Sequence, residues 1–314
     1  MSFNAAHNAV VLYALETGTI TESPDGITPA ILPPVPSSPV VLGYTNLPSV
    51  SRGLNNSKGF ALGLQGAAYN KYGRQEPSMG VEIRPGNVAA LSYLQPDPDT
   101  GILPWLCLYL VVKGRYTDVL RFCKPGAVSY NLGGGNGQGG EISVSTTFQG
   151  MAYQRIGALT VPTSAVRALG TPMMWHDVRQ FSIGGVGYRR ALMSLTASND
   201  MGLERKNERP DWGPNNPLSR TCYDMLEHHK TVTGEISLHE RLPEDLFTGA
   251  QDAQEWGDIA VNCSSTPAGR AKGFLLNLLG CFPGDETQPE GEASAEIDHT
   301  VPFSADDITF EIED

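Results

Sequence analysis

The chain has 314 residues, enough for one large domain or two of ordinary size, and 40% of them are hydrophobic, which excludes a disordered polymer. A net charge of −12, from 34 carboxylates against 22 Lys and Arg, excludes a surface built to grip a nucleic-acid backbone, although not a wall past which nucleic acid slides. The 35 Gly and 23 Pro favour many turns and an all-β fold.

In chain order, residues 1–50 are short apolar pieces broken by proline, including Pro33-Pro34-Val35-Pro36. They read as an extended arm with one strand, Ala9–Leu15, at an edge or in a linker, because proline cannot donate to a ladder. Residues 51–79, rich in Gly, Asn and Ser, read as a long loop with a strand near Phe60–Leu64. Val81-Glu82-Ile83 starts a strand pattern over residues 80–94. The run Trp105–Val112 is apolar throughout, which suits a strand covered on both faces.

Glu141 to Phe148 alternates, with Ile142, Val144 and Phe148 on one face and Glu141, Ser143, Ser145 and Thr147 on the other. Thr231 to Leu238 does the same, with Val232, Ile236 and Leu238 against Thr233, Glu235 and Ser237, and Ile308, Phe310 and Ile312 alternate with Thr309, Glu311 and Glu313. Period-two alternation sets one face on a core and the other on water or a lumen. The polar faces carry no Lys or Arg. Helix is sparse: Ser219–His229 fits a short helix and Pro243–Leu246 a turn of another. Phe274–Leu279 suits helix or strand, and its place in the repeat described next favours strand. The stretch Val161–Trp175 reads as a connection between halves.

One stretch occurs twice. Cys123-Lys-Pro-Gly126 and Cys281-Phe-Pro-Gly284 lie 158 positions apart, and Gly140-Glu-Ile-Ser143 and Gly291-Glu-Ala-Ser294 lie 151 apart. Val81-Glu82-Ile83 and Gly234-Glu235-Ile236 are 153 apart, and Trp105 and Trp256 are 151 apart. Four matches in one order, at about half the chain length, predict a duplication. The expected units are residues 1–170 and 171–314.

Catalytic chemistry is not indicated. The Gly133–Gly140 run lacks the following helix and the lysine of a phosphate loop, so it reads as a hairpin tip. His228, His229 and His239 do not share one face, and no Cys or carboxylate stands at ligand spacing, so no metal site or cofactor is expected. No Gly-x-Ser-x-Gly elbow occurs. The cysteines Cys107, Cys123, Cys222, Cys263 and Cys281 form no Cys-x-x-Cys pair and an odd number, which fits buried thiols in a reduced compartment. No apolar run is long enough to cross a bilayer, and Met1-Ser2-Phe3-Asn4 starts no signal segment, so a soluble protein made in the cytoplasm is expected.

Phe122-Cys-Lys-Pro-Gly-Ala-Val-Ser-Tyr-Asn-Leu132, followed by Gly140-Glu-Ile-Ser-Val-Ser-Thr-Thr-Phe-Gln-Gly150, resembles the tail tube (major tail) proteins of long-tailed bacteriophages. Phe181-Ser-Ile-Gly-Gly185 and Lys230-Thr-Val-Thr-Gly-Glu-Ile-Ser-Leu238 are similar in the second half. The resemblance covers most of residues 80–314 and is one of pattern and order.

It implies two tandem β-sandwich or half-barrel domains with an N-terminal arm. Their inner sheets join those of neighbouring subunits into rings, which stack into a virion tube assembled in the host cytoplasm. On that reading Val81, Ile83, Ile142, Val144, Phe148, Val232, Ile236, Leu238, Ile308 and Phe310 build the assembling strands. Glu82, Glu141, Ser143, Glu235, Ser237, Thr309 and Glu311 are candidates to face the lumen. Two tube domains per chain imply trimeric rings with pseudo-sixfold symmetry, with a six-chain ring as the alternative. A tape measure protein, a tail terminator and a distal tail protein are the implied partners, and DNA passes without specific binding. Other readings are a distal tail, head–tail adaptor or decoration protein, or a ligand-binding β-sandwich.

Overall fold

The computed structural model describes residues 9–18, 32–46, 48–60, 67–85, 88–97, 99–133, 140–161, 172–189, 192–206, 224–238, 256–263, 273–284 and 299–313. Its regular structure is almost entirely strand. From the N-terminus come β1 (Ala9–Leu15), the short β2 (Val40–Val41), β3 (Tyr44–Thr45) and β4 (Ser49–Ser51), the hairpin of β5 (Leu54–Phe60) and β6 (Ala67–Gln75), and β7 (Ser78–Arg84). A 3-10 segment, Val88–Leu94, precedes β8 (Leu106–Val112), β9 (Tyr116–Gly133) and β10 (Ser143–Ile156). A 3-10 turn at Trp175–Asp177 opens the second half. There follow β11 (Val178–Ile183), β12 (Val186–Gly187), β13 (Leu192–Asp200), the pair β14 (Leu203–Lys206) and β15 (Asp224–Glu227), and β16 (Thr231–Leu238). The last strands are β17 (Gly257–Cys263), β18 (Gly273–Pro283) and β19 (His299–Glu313).

Fifteen of these strands belong to one antiparallel sheet, and within it the same ladder occurs twice. In the first half β8 pairs β9, β9 pairs β10 and β10 pairs β7. In the second, β17 pairs β18, β18 pairs β19 and β19 pairs β16. β1 flanks β8 as β11 flanks β17, and β3 with β4 flanks β7 as β13 flanks β16. Pairing of β13 with β9 joins the two sets.

The repeated cysteine sits at the same point of each ladder. Cys123 lies opposite Leu106 at the start of β8, and Cys281 opposite Gly257 at the start of β17. The residue before each is left-handed, Phe122 with φ 47° and Gly280 with φ 57°. A left-handed residue inside a strand breaks the pleat and lets the strand bend. β9 uses this bend to serve two neighbours: residues 116–123 pair with β8, and residues 127–133 with β13.

The strands share a main core drawn from both halves, in which Tyr130 of β9 stacks on Phe310 of β19 with centroids 6.2 Å apart. β8 is buried on both faces, as its unbroken apolar run predicts. Leu106, Leu108 and Leu110 enter the main core, while Cys107, Tyr109 and Val111 pack with Leu12 and Val119 in a second cluster against Val35, Ile156 and Leu159. The expected strand Ala9–Leu15 is a strand, and so is Phe274–Leu279.

Four expectations need correction. Where they are described, residues 1–50 are no free arm: β1 pairs along its whole length with β8, and the proline stretch straps the outer face of that layer, where Pro36 O accepts from the Tyr109 hydroxyl at 2.7 Å. The described parts of residues 51–79 are not a loop, because Leu54–Phe60 and Ala67–Gln75 pair as a hairpin; residues 61–64 of the expected strand lie outside the described residues. The strand pattern over 80–94 stops at Arg84, and Val88–Leu94 tightens into 3-10 turns that bury Leu91 and Leu94. The helix expected at Ser219–His229 fails where it is described, since Asp224–Glu227 pairs in register with Leu203–Lys206. Capping propensity is a weak prior there against a strand partner held nearby. Pro243–Leu246 and the tips at 134–139 and 285–291 lie outside the described residues.

Candidate functional site

Alternation along six neighbouring strands, β7, β10, β9, β13, β16 and β19, lays polar side chains in rows across one sheet face. One row runs Glu82, Ser145, Ser129, Ser198, Thr233 and Ser304, each opposite the next. A second runs Ser143, Asn131, Thr196, Glu235 and Pro302, and a third Gly133, Ser194, Ser237 and Thr300. Neighbouring hydroxyls satisfy one another: Ser129 and Ser198 oxygens are 3.1 Å apart, and those of Ser237 and Thr300 are 3.4 Å apart.

The rows between these are apolar and, apart from the half-buried Gly234, buried. Val144, Tyr130, Ala197, Gly234 and Phe303 form one, and Leu132, Leu195, Ile236 and Val301 another. Gly234 has to lack a side chain, because a Cβ there would lie 2.3 Å from the Phe303 ring and 2.4 Å from Thr196 O. The wall is thus polar on one side and packed on the other, and it crosses from the first half to the second at the β9–β13 seam.

Five of the seven candidate lumen residues share this face. Glu82, Glu141 and Ser143 border a hollow of about 300 Å³ with Arg84, Asn131, Ser194 and Thr196, and Glu235 and Ser237 continue the same rows. A neighbouring hollow of about 470 Å³ takes in Asn46, Ser49, Ser129, Ser145 and Thr147. Asn46 donates its amide to Glu82. Thr309 and Glu311 are placed elsewhere, on the length of β19 that pairs with β18, opposite Asn277 and Leu275. The alternation is the same, but Ala305 to Ile308 crosses the bend at Gly280 and changes which face is buried.

Charge on the face is acidic and sparse. Arg84 is the one cation among the described residues of these rows, and Glu141 engages it at 2.9 Å. All ten assembling-strand residues named from sequence are in the main core or packed against it. Sequence reading missed Ser194, Thr196 and Ser198 of β13, whose Leu195 and Ala197 partners carried the same period-two signal. It also missed Ser129 and Asn131, hidden in a stretch read for its turn.

Among the described residues no group of three His, Cys, Asp or Glu is placed to hold a metal ion. His228 meets Glu204 at 2.6 Å on the surface, and His239 lies outside the described residues. Among the described residues no helix is long and apolar enough to cross a membrane. No protein-family model matches the chain, and comparison with curated proteins gives no significant match.

Proposed function

We propose that this chain is the tail tube subunit of a long-tailed bacteriophage, a structural virion protein with two tube domains, residues 1–170 and 171–314. The observation that carries the proposal is the continuous six-strand face of hydroxyl, amide and acidic side chains spanning both halves, where the one cation among its described residues, Arg84, is paired with Glu141. DNA carries about one charge per 1.7 Å, and a wall of Lys and Arg would hold it by releasing its counterions. A small-residue, weakly acidic wall gives it nothing to hold. The twice-written ladder supports two equivalent units per chain.

Closure of joined sheets removes exposed edges and fixes the number of domains around the channel, whichever chain supplies them. Three chains with two domains each then make a ring with pseudo-sixfold symmetry, and covalent linkage halves the association events needed. Rings stack into a tube that meets a tape measure protein, a terminator and a distal tail protein, and the genome passes through it. The test is electron microscopy of the purified full chain. Hollow tubes with three chains per ring are expected. Six chains per ring would replace the trimer, and compact particles without a channel would remove the tube.

A further inference from the structure

β10 outruns one of its neighbours. β7 pairs with it from Val144 to Gln149, and Gly150 N donates once more, to Pro77 O at 2.9 Å. From Ala152 to Ile156 β9 holds one edge of β10, while among the described residues no strand pairs with the other. The register there is unbroken, so the N–H groups of Ala152, Gln154 and Ile156 point outward as that of Gly150 does. Such an edge is a template for one more strand.

The face beside this edge is charged where its twin is apolar. Counted back equally from the repeated cysteine, Tyr116 and Asp118 of β9 correspond to Phe274 and Leu276 of β18. Arg155 lies opposite Asp118 as Phe310 lies opposite Leu276. Even the stacking is kept: the Phe274 and Phe310 rings are 4.9 Å apart, and the Arg155 guanidinium is 3.9 Å from the centre of the Tyr116 ring. In the second ladder Phe274 and Leu276 are buried, and Tyr130 of β9 stacks on Phe310. In the first, the Arg155 side chain is 45% exposed, and the exposed Arg52 lies 4.9 Å over the Tyr153 ring.

Positive charge exceeds negative at this corner. Asp118 accepts from Nε and Nη2 of Arg155, which leaves the Nη1 donors uncommitted. Arg52 brings a second guanidinium, and Lys113 and Arg115 stand exposed in the turn before Tyr116. Guanidiniums beside a row of outward N–H groups suit carboxylates carried on an extended backbone. The Tyr130 ring that completes the twin rung is 2% exposed in its own chain, so a second copy has none to offer.

We propose that the outer edge of β10, from Ala152 to Ile156, takes an acidic, extended segment of a different protein as an added strand, with carboxylates on Arg52 and Arg155. Backbone pairing supplies the affinity, and the guanidiniums select acidic side chains. The proposal stands on the edge and the corner alone and does not require the tube.

The test titrates the full chain into a fluorescein-labelled peptide alternating Glu and Val over about six residues, read by anisotropy. Replacing its Glu by Gln should weaken binding at least about tenfold, and so should methylating its alternate backbone nitrogens. Arg52→Glu, which leaves the Asp118–Arg155 pair in place, should weaken it as much with unchanged melting. Gln154→Pro removes an outward donor without touching the β9 ladder and should do the same. If that variant does not fold, the methylated peptide carries the backbone half of the test. No binding of the Glu peptide, equal binding of its Gln or methylated form, or unchanged binding by R52E overturns the proposal. Displacement of the peptide by a single-stranded oligonucleotide, or self-association of the wild type that R52E abolishes, overturns it too, because the occupant is then a phosphate backbone or a second copy. Tubes built from R52E that no longer binds the peptide would support it, since the edge then serves a partner outside the tube.

Discussion

Glu16 and Arg121, distant in sequence, form a buried ion pair: Nε and Nη2 of Arg121 donate to the two carboxylate oxygens at 2.6 and 2.9 Å, and each side chain is 1% exposed. Arg121 also donates to Pro33 O at 3.1 Å and Pro34 O at 3.4 Å, and Phe122 N donates to Glu16 at 3.2 Å. This pair fastens the N-terminal strand and the proline strap to β9. Removing one partner strands a charge in the interior, so Glu16→Ala or Arg121→Ala should each cost about 3–5 kcal/mol in urea unfolding. Replacing both by Leu and Met should recover most of that. A cost under about 1 kcal/mol for either single change would show that the strap is not anchored here.

Asp118 predicts the acid limb of stability. It lies opposite Arg155 in the β9–β10 ladder and accepts from Nε at 2.7 Å, from Nη2 at 3.1 Å and from the Tyr153 hydroxyl. Burial pushes its carboxyl up, but these donors outweigh burial and hold it below the ordinary 3.8. A depressed pKa favours the folded state above the unfolded value, so this contribution is complete above 3.8 and fades as pH falls through the folded value. Asp118→Asn should lower the melting temperature near neutrality and flatten its fall below about pH 4. Parallel curves for variant and wild type would argue against the assignment. Half the Arg155 side chain is in water, so the effect is small.

Gly280 is required at the bend of β18. Its φ is 57°, and a Cβ would lie 2.5 Å from Asp306 Oδ2. The left-handed region alone costs an L residue about 1–2 kcal/mol, so Gly280→Ala should lose at least that much in thermal unfolding. An unchanged melting temperature would mean that β18 does not bend there.

The two sides of the six-strand wall should respond oppositely to charge. Ile142 and Ile236 are 1% and 0% exposed, and Asp at either should cost several kcal/mol and prevent assembly. Lys at the exposed Ser145 and Thr233 should change stability by less than about 0.5 kcal/mol and leave assembly intact. If the face lines a channel, such tubes should retain linear DNA, and salt should release it. Lysine-bearing tubes that retain no more DNA than wild type would place this face outside the lumen.

Thiol chemistry offers a control on the core. Burial pushes Cys107 and Cys263 up to about 12 and Cys123 well above its ordinary value, and Cys281 is fully buried. At about pH 8 these four should resist iodoacetamide until the chain is unfolded, because the thiolate is the nucleophile. Mass spectrometry of native protein showing a label on any of them would contradict the packing described.

Much of the fold was legible in residue order. Period two in Glu141–Phe148 and Thr231–Leu238 identified both strands and the side each turns to the core, because a strand has only two faces and burial selects one. Trp105–Val112 announced a strand covered twice, and the recurrence of Cys-x-Pro-Gly marked the point where each ladder bends. Local signals failed where partners decide. Leu54–Gln75 has no apolar pattern to fill a core, yet backbone pairing makes it a hairpin. Asp224–Glu227 has helix-like flanks, yet Leu203–Lys206 holds it as a strand.

The site shows the same division. The polar character of Glu82, Ser143, Glu235 and Ser237 is written in alternation, which a sequence fixes residue by residue. That they form one wall, and that Thr309 and Glu311 stand apart from it, depends on which strands lie side by side and on one bend opposite Gly280. The burial of Glu16 against Arg121 depends on the same long-range closure. Periodicity is a property of neighbours along the chain, whereas register, bending and the meeting of distant charges are set only when the backbone ladders of the whole sheet are satisfied together.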